Sequence, residues 1–381
     1  MKLNTLVKLV TVISVLLFSI AVGYYAFIHL SMADRNRTVN LYSLVPADCS
    51  GVLESDDISA YLHELPNLNY GNELECFQFP GLFGFVIDAL DGYAAESAHG
   101  LSPHLNRLLV SFHEPYDVFD QVVYFQTGGS DETFFSDLFR EYMPGHFLSK
   151  EEEYRGETIV VYPLNHEEYL SVYTDAGFMV ISFQKKLIEK VIDTRLDETS
   201  LDDDISFSRI HNNKKKHFLT LYTCESTGLM SEFDVPCWNE YDFHMNSDVL
   251  YLTGETFVST EEDVESLLSE YMRKIPVLRT EGLFVSADKD STQYYMEKSY
   301  EANESGEFLL FNECIYNLSD EAFFSLVADM QAVSNEYEIL KSYLPSFIGK
   351  NVHLFSPFVL SAQYTWVNNR LSHIWTFTYK Y

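Results

Sequence analysis

The chain has 381 residues, 57 acidic against 25 basic, for a formal net charge of −32. A surface this acidic repels phosphate backbones, which excludes nucleic-acid binding. A hydrophobic content of 46% and an aromatic content of 15% supply a sizeable core, so the acidity belongs to the surface of a folded protein and not to a disordered one.

Residues 9–33 form an uncharged stretch rich in Leu, Val, Ile and Phe, between Lys2 and Lys8 on one side and Asp34, Arg35 and Arg37 on the other. About 20 apolar residues cross the ~30 Å hydrocarbon layer as one helix, so residues 1–33 are expected to be a transmembrane anchor or, alternatively, a long cleaved signal peptide. Lys2, Lys8 and the free amino terminus favour the amino end inside and the body outside. A polar stem over residues 34–44 leads to a first α+β unit, residues 45–200, and a second, residues 213–381.

In the first unit, residues 51–54 read as a strand and Asp56-Asp57 as the cap of a short helix. Residues 83–90 read as a strand or a buried helical turn. In residues 130–143 the spacing of Phe134, Phe135, Leu138, Phe139 and Tyr142 predicts an amphipathic helix, flanked by strands at 105–112, 121–126, 157–162, 169–173 and 178–183. A turn at residues 174–177 joins the last two strands, and a helix over 185–192 follows. Residues 197–216, with Asp202, Asp203 and Asp204 ahead of Lys214, Lys215 and Lys216, are the expected joint.

The second unit repeats the pattern. Thr127, Ser130, Glu132, Leu138, Glu141, Tyr142 and Met143 match Thr256, Ser259, Glu261, Leu267, Glu270, Tyr271 and Met272 without a gap. Ser259 with Glu262 forms a capping box. Strands are expected at 243–252, 280–286, 292–299 and 307–311, a long helix at 320–341, and a final hairpin of strands 358–366 and 371–379 turning at Asn368-Asn369. The expected fold class is therefore α+β: an N-terminal transmembrane helix, then two related units of antiparallel sheet packed with helices on one face.

Motifs for chemistry are incomplete. Ser182-Phe183-Gln184-Lys185 matches the S-x-x-K of penicillin-binding enzymes, but the companion S-D-N and K-T-G elements are missing. His166-Glu167 starts a zincin motif that has Leu170 in place of the second histidine. His99 and His104 have no shared face, and Gly128-Gly129-Ser130 lacks the lysine of a phosphate loop. Asp202–Asp204 and Glu151–Glu153 are loose candidates for calcium, although a charge run of this kind is usually a solvated loop. Cys49, Cys76, Cys224, Cys237 and Cys314 have no C-x-x-C spacing; if extracytoplasmic, the sequence-near pairs are Cys49–Cys76 and Cys224–Cys237, and the alternative is five buried hydrophobes. Trp238, Trp366 and Trp375 offer stacking faces for a glycan or anchors for a protein, or else fill the core. No catalytic, cofactor-binding or metal-ligating residue is assigned.

Val45-Pro46-Ala47-Asp48, Tyr154-Arg155-Gly156-Glu157-Thr158-Ile159, Gly177-Phe178-Met179-Val180-Ile181-Ser182 and Phe257-Val258-Ser259-Thr260 resemble a family of uncharacterised membrane-anchored bacterial envelope proteins that carries a domain-of-unknown-function label. The resemblance implies an envelope location, with the body facing the periplasm from the inner membrane, and supplies no catalytic residues. Asn36, Asn303 and Asn317 lie in N-x-[ST] sequons, relevant only in a eukaryotic source. The expected function is that of a membrane-tethered, extracytoplasmic binding or scaffold protein and not an enzyme, its ligand a protein or a glycan. The alternative is an extracytoplasmic hydrolase working with a pair of carboxylates.

Overall fold

The computed structural model describes residues 19, 22, 38–71, 81–97, 100–113, 120–128, 131, 134, 135, 138, 148–164, 168–211, 219–224, 237–258, 264–304, 309–335, 340, 343–349, 352–367 and 370–380. Its frame is one antiparallel sheet of 15 strands in the order β11-β12-β13-β14-β15-β10-β9-β8-β1-β2-β3-β7-β6-β5-β4. The first half comprises β1 (Gly51–Ser55), β2 (Leu108–Phe112), β3 (Gln121–Gln126), β4 (Lys150–Tyr154), β5 (Glu157–Pro163), β6 (Tyr169–Asp175) and β7 (Phe178–Ser182). The second comprises β8 (Thr220–Thr223), β9 (Cys237–Met245), β10 (Val249–Val258), β11 (Leu278–Arg279), β12 (Leu283–Ser286), β13 (Phe324–Asp329), β14 (Phe358–Val367) and β15 (Arg370–Tyr379).

Each half winds the same way. Three strands step outward, the chain crosses to the far edge, and the remaining strands return until the last one pairs with the third: β7 with β3, and β15 with β10. The halves meet where β1 runs antiparallel to β8, with Val52 opposite Tyr222 and Leu53 opposite Leu221. Gly51 is required at this seam, because a Cβ there would lie 2.7 Å from the Tyr222 carbonyl oxygen.

This corrects the expected fold class in two respects. The strands form a single sheet rather than two, because pairing β1 with β8 satisfies backbone groups that two separate sheets would leave as open edges. Helices also cover both faces. Side chains alternate across a strand, so β3 sends Val123 and Phe125 to one core and Val122 and Tyr124 to another. The first and larger core runs the full breadth of the sheet beneath α1 (Ile58–Glu64), α2 (Leu82–Glu96), the helical residues Phe134, Phe135 and Leu138, and α5 (Val264–Met272). On the opposite face α3 (Lys185–Asp197) and α4 (Ile205–Ile210) cover the first half and the seam, while α6 (Lys289–Glu304) and α7 (Leu310–Tyr316) cover β12–β14.

The expected transmembrane helix is corrected as well. No described helix is long and apolar enough to cross a membrane, and residues 9–33, apart from Ser19 and Val22, lie outside the described residues.

Several local expectations also change. Where a helix is expected over 320–341, the chain forms β13, whose Leu326 and Val327 face opposite cores, followed by a 3-10 turn at Ala332–Asn335. Residues 292–299, expected to be a strand, lie within α6; of the strand expected at 307–311, Leu309 caps α7 and Leu310 and Phe311 open it, while 307–308 lie outside the described residues. Strand β4 is too polar to show hydrophobic alternation. The turn Asn368-Asn369 lies outside the described residues, although β14 and β15 pair on either side of it.

Candidate binding surface on the sheet

Among the described residues, helices cover both ends of the face opposite the large core, and between them the cover is partial. On β3 and β7, the residues pointing to this face are Val122, Tyr124, Phe178 and Val180, all buried under the Ile188, Val191 and Ile192 stripe of α3. The corresponding strands of the second half are β10 and β15. There the same face presents Tyr251, Thr253 and Glu255 alongside Ser372, Ile374 and Thr376, and Ile374 is 54% exposed. At one end of it α4 packs on β9 and β10, with Phe207 against Trp238 and Arg209 over the Phe257 ring.

The sequence makes this strip polar by alternation. In β15, Leu371, Trp375 and Phe377 go down into the core, so Ser372, Ile374 and Thr376 must point up. Three rungs cross the strip: Asp242–Thr253–Ile374–Gln363, His244–Tyr251–Thr376–Ser361, and Glu255–Ser372–Thr365. The His244 ring stacks on Tyr251 at 4.7 Å, and its Nε2 lies 3.1 Å from Thr253 Oγ1. Arg370 pairs with Glu255 at 2.6 Å, and Thr220 Oγ1 donates to Asp242 at 2.5 Å. The strip thus displays one aliphatic side chain, one aromatic stack, hydroxyls and two carboxylates on a rigid floor.

Under the strip the backbones of β9 and β10 come unusually close. A Cβ on Gly254 would lie 1.8 Å from the Glu240 carbonyl oxygen, so only glycine fits. The same carbonyl accepts a hydrogen bond from His373 Nε2 at 2.9 Å, which fixes the proton on that nitrogen. Burial lowers the His373 pKa to about 4, and the imidazole is neutral at pH 7.

Beside the strip, at the seam, lies an acidic aromatic cluster. Tyr42, from the 3-10 turn Leu41–Leu44, donates its hydroxyl to Glu54 Oε2 at 2.5 Å. The Tyr222 hydroxyl lies 3.4 Å from Glu54 Oε1 and 3.2 Å from Glu240 Oε1, so it links the two carboxylates. Desolvation, reinforced by these carboxylates, raises both tyrosine pKa values well above the ordinary value and keeps the hydroxyls as donors. His211 Nε2 is 3.7 Å from Glu54, its ring stacked on Phe207, which meets Trp238 edge-on.

The structure brings few of the sequence candidates to either place. Ser182 is buried, donating to the Gln121 carbonyl at 2.7 Å, and Lys185 pairs with Glu152 at 2.7 Å and Glu189 at 3.2 Å, so the S-x-x-K letters serve a strand end and a helix start. Asp203 forms a capping box with Ser200, Asp204 caps α4, and Asp202 accepts from Asn40. His99, His166 and Glu167, along with Gly129, Ser130 and Cys76, lie outside the described residues; His104 packs at Gly128, away from the strip. Among the described residues no group of three metal-ligating side chains occurs. Cys49, Cys224 and Cys314 carry no disulfide, so the two suggested pairings are not made. Trp238 and Trp375 are buried and Trp366 half-buried, in core positions rather than on a platform.

Sequence reasoning missed the strip because it treated the final hairpin as ordinary core. The available signal was the contrast, at one offset, between Val122 and Tyr124 in β3 and Tyr251 and Thr253 in β10.

No protein-family model and no curated protein matches the chain. Among solved structures it is similar to one titled "Structure of crystal form I of TP0453", at 8% identity and a TM-score of 0.31, over 65% of this chain and 90% of that one. A likeness this remote says nothing of the fold or role of the present chain.

Proposed function

We propose that this is an extracytoplasmic binding protein that works by contact and not by bond-making, and that the open strip on β9, β10 and β15 is its contact surface. The observation that carries the reading is the 54% exposure of Ile374 at the centre of a face whose counterpart in the other half is buried by α3. A rigid polar surface with an apolar centre is the usual form of a reversible interface.

A photo-crosslinking residue placed at Ile374 should give a discrete adduct in the native cell, lost when Thr253→Arg is added. The same residue at Leu196, also surface-exposed on α3, should give none. Equal labelling from both positions, or an unchanged adduct in the Thr253→Arg protein, would sink the reading.

One observation favours a second reading, a carboxylate-based hydrolase: Glu54 and Glu240 share the Tyr222 hydroxyl beside an aromatic group. It requires a turnover that Glu240→Gln abolishes while leaving the thermal midpoint in place.

A further inference from the structure

We infer that Cys49 and Cys224 are partners in a disulfide that staples the two halves of the sheet together at their seam. The inference concerns the joint between β1 and β8 and does not depend on the strip.

Register brings the pair together. Gly51 stands opposite Thr223, and one step outward the Ser50 carbonyl accepts a hydrogen bond from the Cys224 N–H at 2.9 Å, so Cys224 lies across from Ser50 and beside Cys49. Opposed Cα atoms in an antiparallel ladder are about 4.5–5.5 Å apart and each residue advances about 3.4 Å. The Cα atoms of Cys49 and Cys224 therefore fall about 6 Å apart, inside the range of roughly 4.4–6.8 Å that a disulfide spans. The two side chains also share a face. Cys49 is buried in the core beneath α3 together with Val52 and Tyr222, and strand alternation turns Cys224 to the same side as Tyr222. Burial pushes the Cys49 thiol up to about 12, and the neighbouring Cys224 adds to the rise, a further sign that the two sulfurs are close.

Both residues are thiols in the structure, Cys49 buried and Cys224 exposed, so the exposed one reacts first. The Cys224 thiolate attacks a sulfur of an external disulfide such as oxidised glutathione, forming a mixed disulfide and releasing one glutathione thiolate; the Cys49 thiolate then attacks the Cys224 sulfur and expels the second. The protein pair loses two electrons and two protons, and the glutathione disulfide is reduced to two thiols. The bond falls where it has most to hold. In the strand order the halves are joined through the β1–β8 ladder of four rungs, and a cross-link beside its first rung prevents them from parting there. Because the two cysteines are far apart in sequence, closing the loop between them also removes much of the freedom of the unfolded chain.

The test exposes the reduced full-length protein to oxidised glutathione under native conditions, blocks the remaining thiols, and maps the non-reduced digest by mass spectrometry. A linked Cys49–Cys224 peptide should appear, and the urea midpoint should rise and then return when dithiothreitol is added. Cys224→Ser, a change at an exposed position, should have the midpoint of the reduced protein, and neither oxidant nor reductant should move it. A glutathione adduct that stays on Cys224 while Cys49 remains reduced overturns the inference. So does a bond from Cys224 to Cys237, or a Cys49–Cys224 bond that leaves the midpoint where it was.

Discussion

Two buried histidines tie the stability of this protein to pH. His113 shares a 2.8 Å contact from its Nε2 to Ser111 Oγ, which also meets the Tyr124 hydroxyl at 2.9 Å, and burial lowers its pKa from 6.5 to about 4. His373 is lowered to the same value by burial, partly offset by its bond to the Glu240 carbonyl. Unfolded, each takes a proton near 6.5, while the folded chain refuses one until about pH 4. The stability they contribute is therefore intact above pH 6.5 and lost as pH falls from there toward 4, by up to about 3 kcal/mol each. Urea midpoints measured from pH 7 to 4.5 should fall, and His113→Phe should reduce the slope of that fall. An unchanged slope would mean that His113 charges while folded. Neither histidine attracts notice in the sequence, because a lone histidine on an alternating strand looks the same whether it points into the core or out.

At the level of elements, legibility follows the local signal. Helix α3 and the β6–β7 hairpin were readable because their periodicity and turn residues agree with what tertiary packing demands. In β13 the spacing of Phe323, Phe324, Val327 and Met330 fits a helical face, yet burial of both strand faces explains the same apolar residues. Helix α6 hides behind its tyrosines, Tyr294, Tyr295 and Tyr300, which favour strands in isolation. The β4–β5 hairpin turns on Arg155 and Gly156, with φ of 51° and 88°, a pair of left-handed residues that suits a two-residue loop. Arg155 also clamps α3 through Asp193 at 2.7 Å and Asp197 at 2.8 Å. Gly156→Ala has open space for its methyl group but the wrong backbone, and should cost about 1 kcal/mol, read as a lower urea midpoint at constant slope. No loss of midpoint would show that the turn relaxes freely.

Over the whole molecule, the sequence disclosed the repeated pattern of strands and helix but not that the two sets close into one sheet. The seam between β1 and β8 is a four-residue ladder with no motif of its own, visible only once both strands exist. The strip escaped for a related reason: the contrast between Val122 and Tyr124 in β3 and Tyr251 and Thr253 in β10 gains meaning once the two strands are known to hold matching places in the sheet.

An open sheet of 15 strands also has two ends, and β4 is one of them. Among the described residues no strand pairs with its outer side, a template on which another chain can continue the ladder. Glu151 and Glu153 are exposed on that strand, while Glu152 is held by Lys150 and Lys185 with its pKa lowered to about 2. Like charges brought edge to edge repel, so the acids serve as a guard against self-polymerisation. Replacing Glu151 and Glu153 together by threonine, a residue at home in strands, should make the protein assemble into fibres that bind thioflavin, and an unaltered sedimentation profile would show that the guard lies elsewhere.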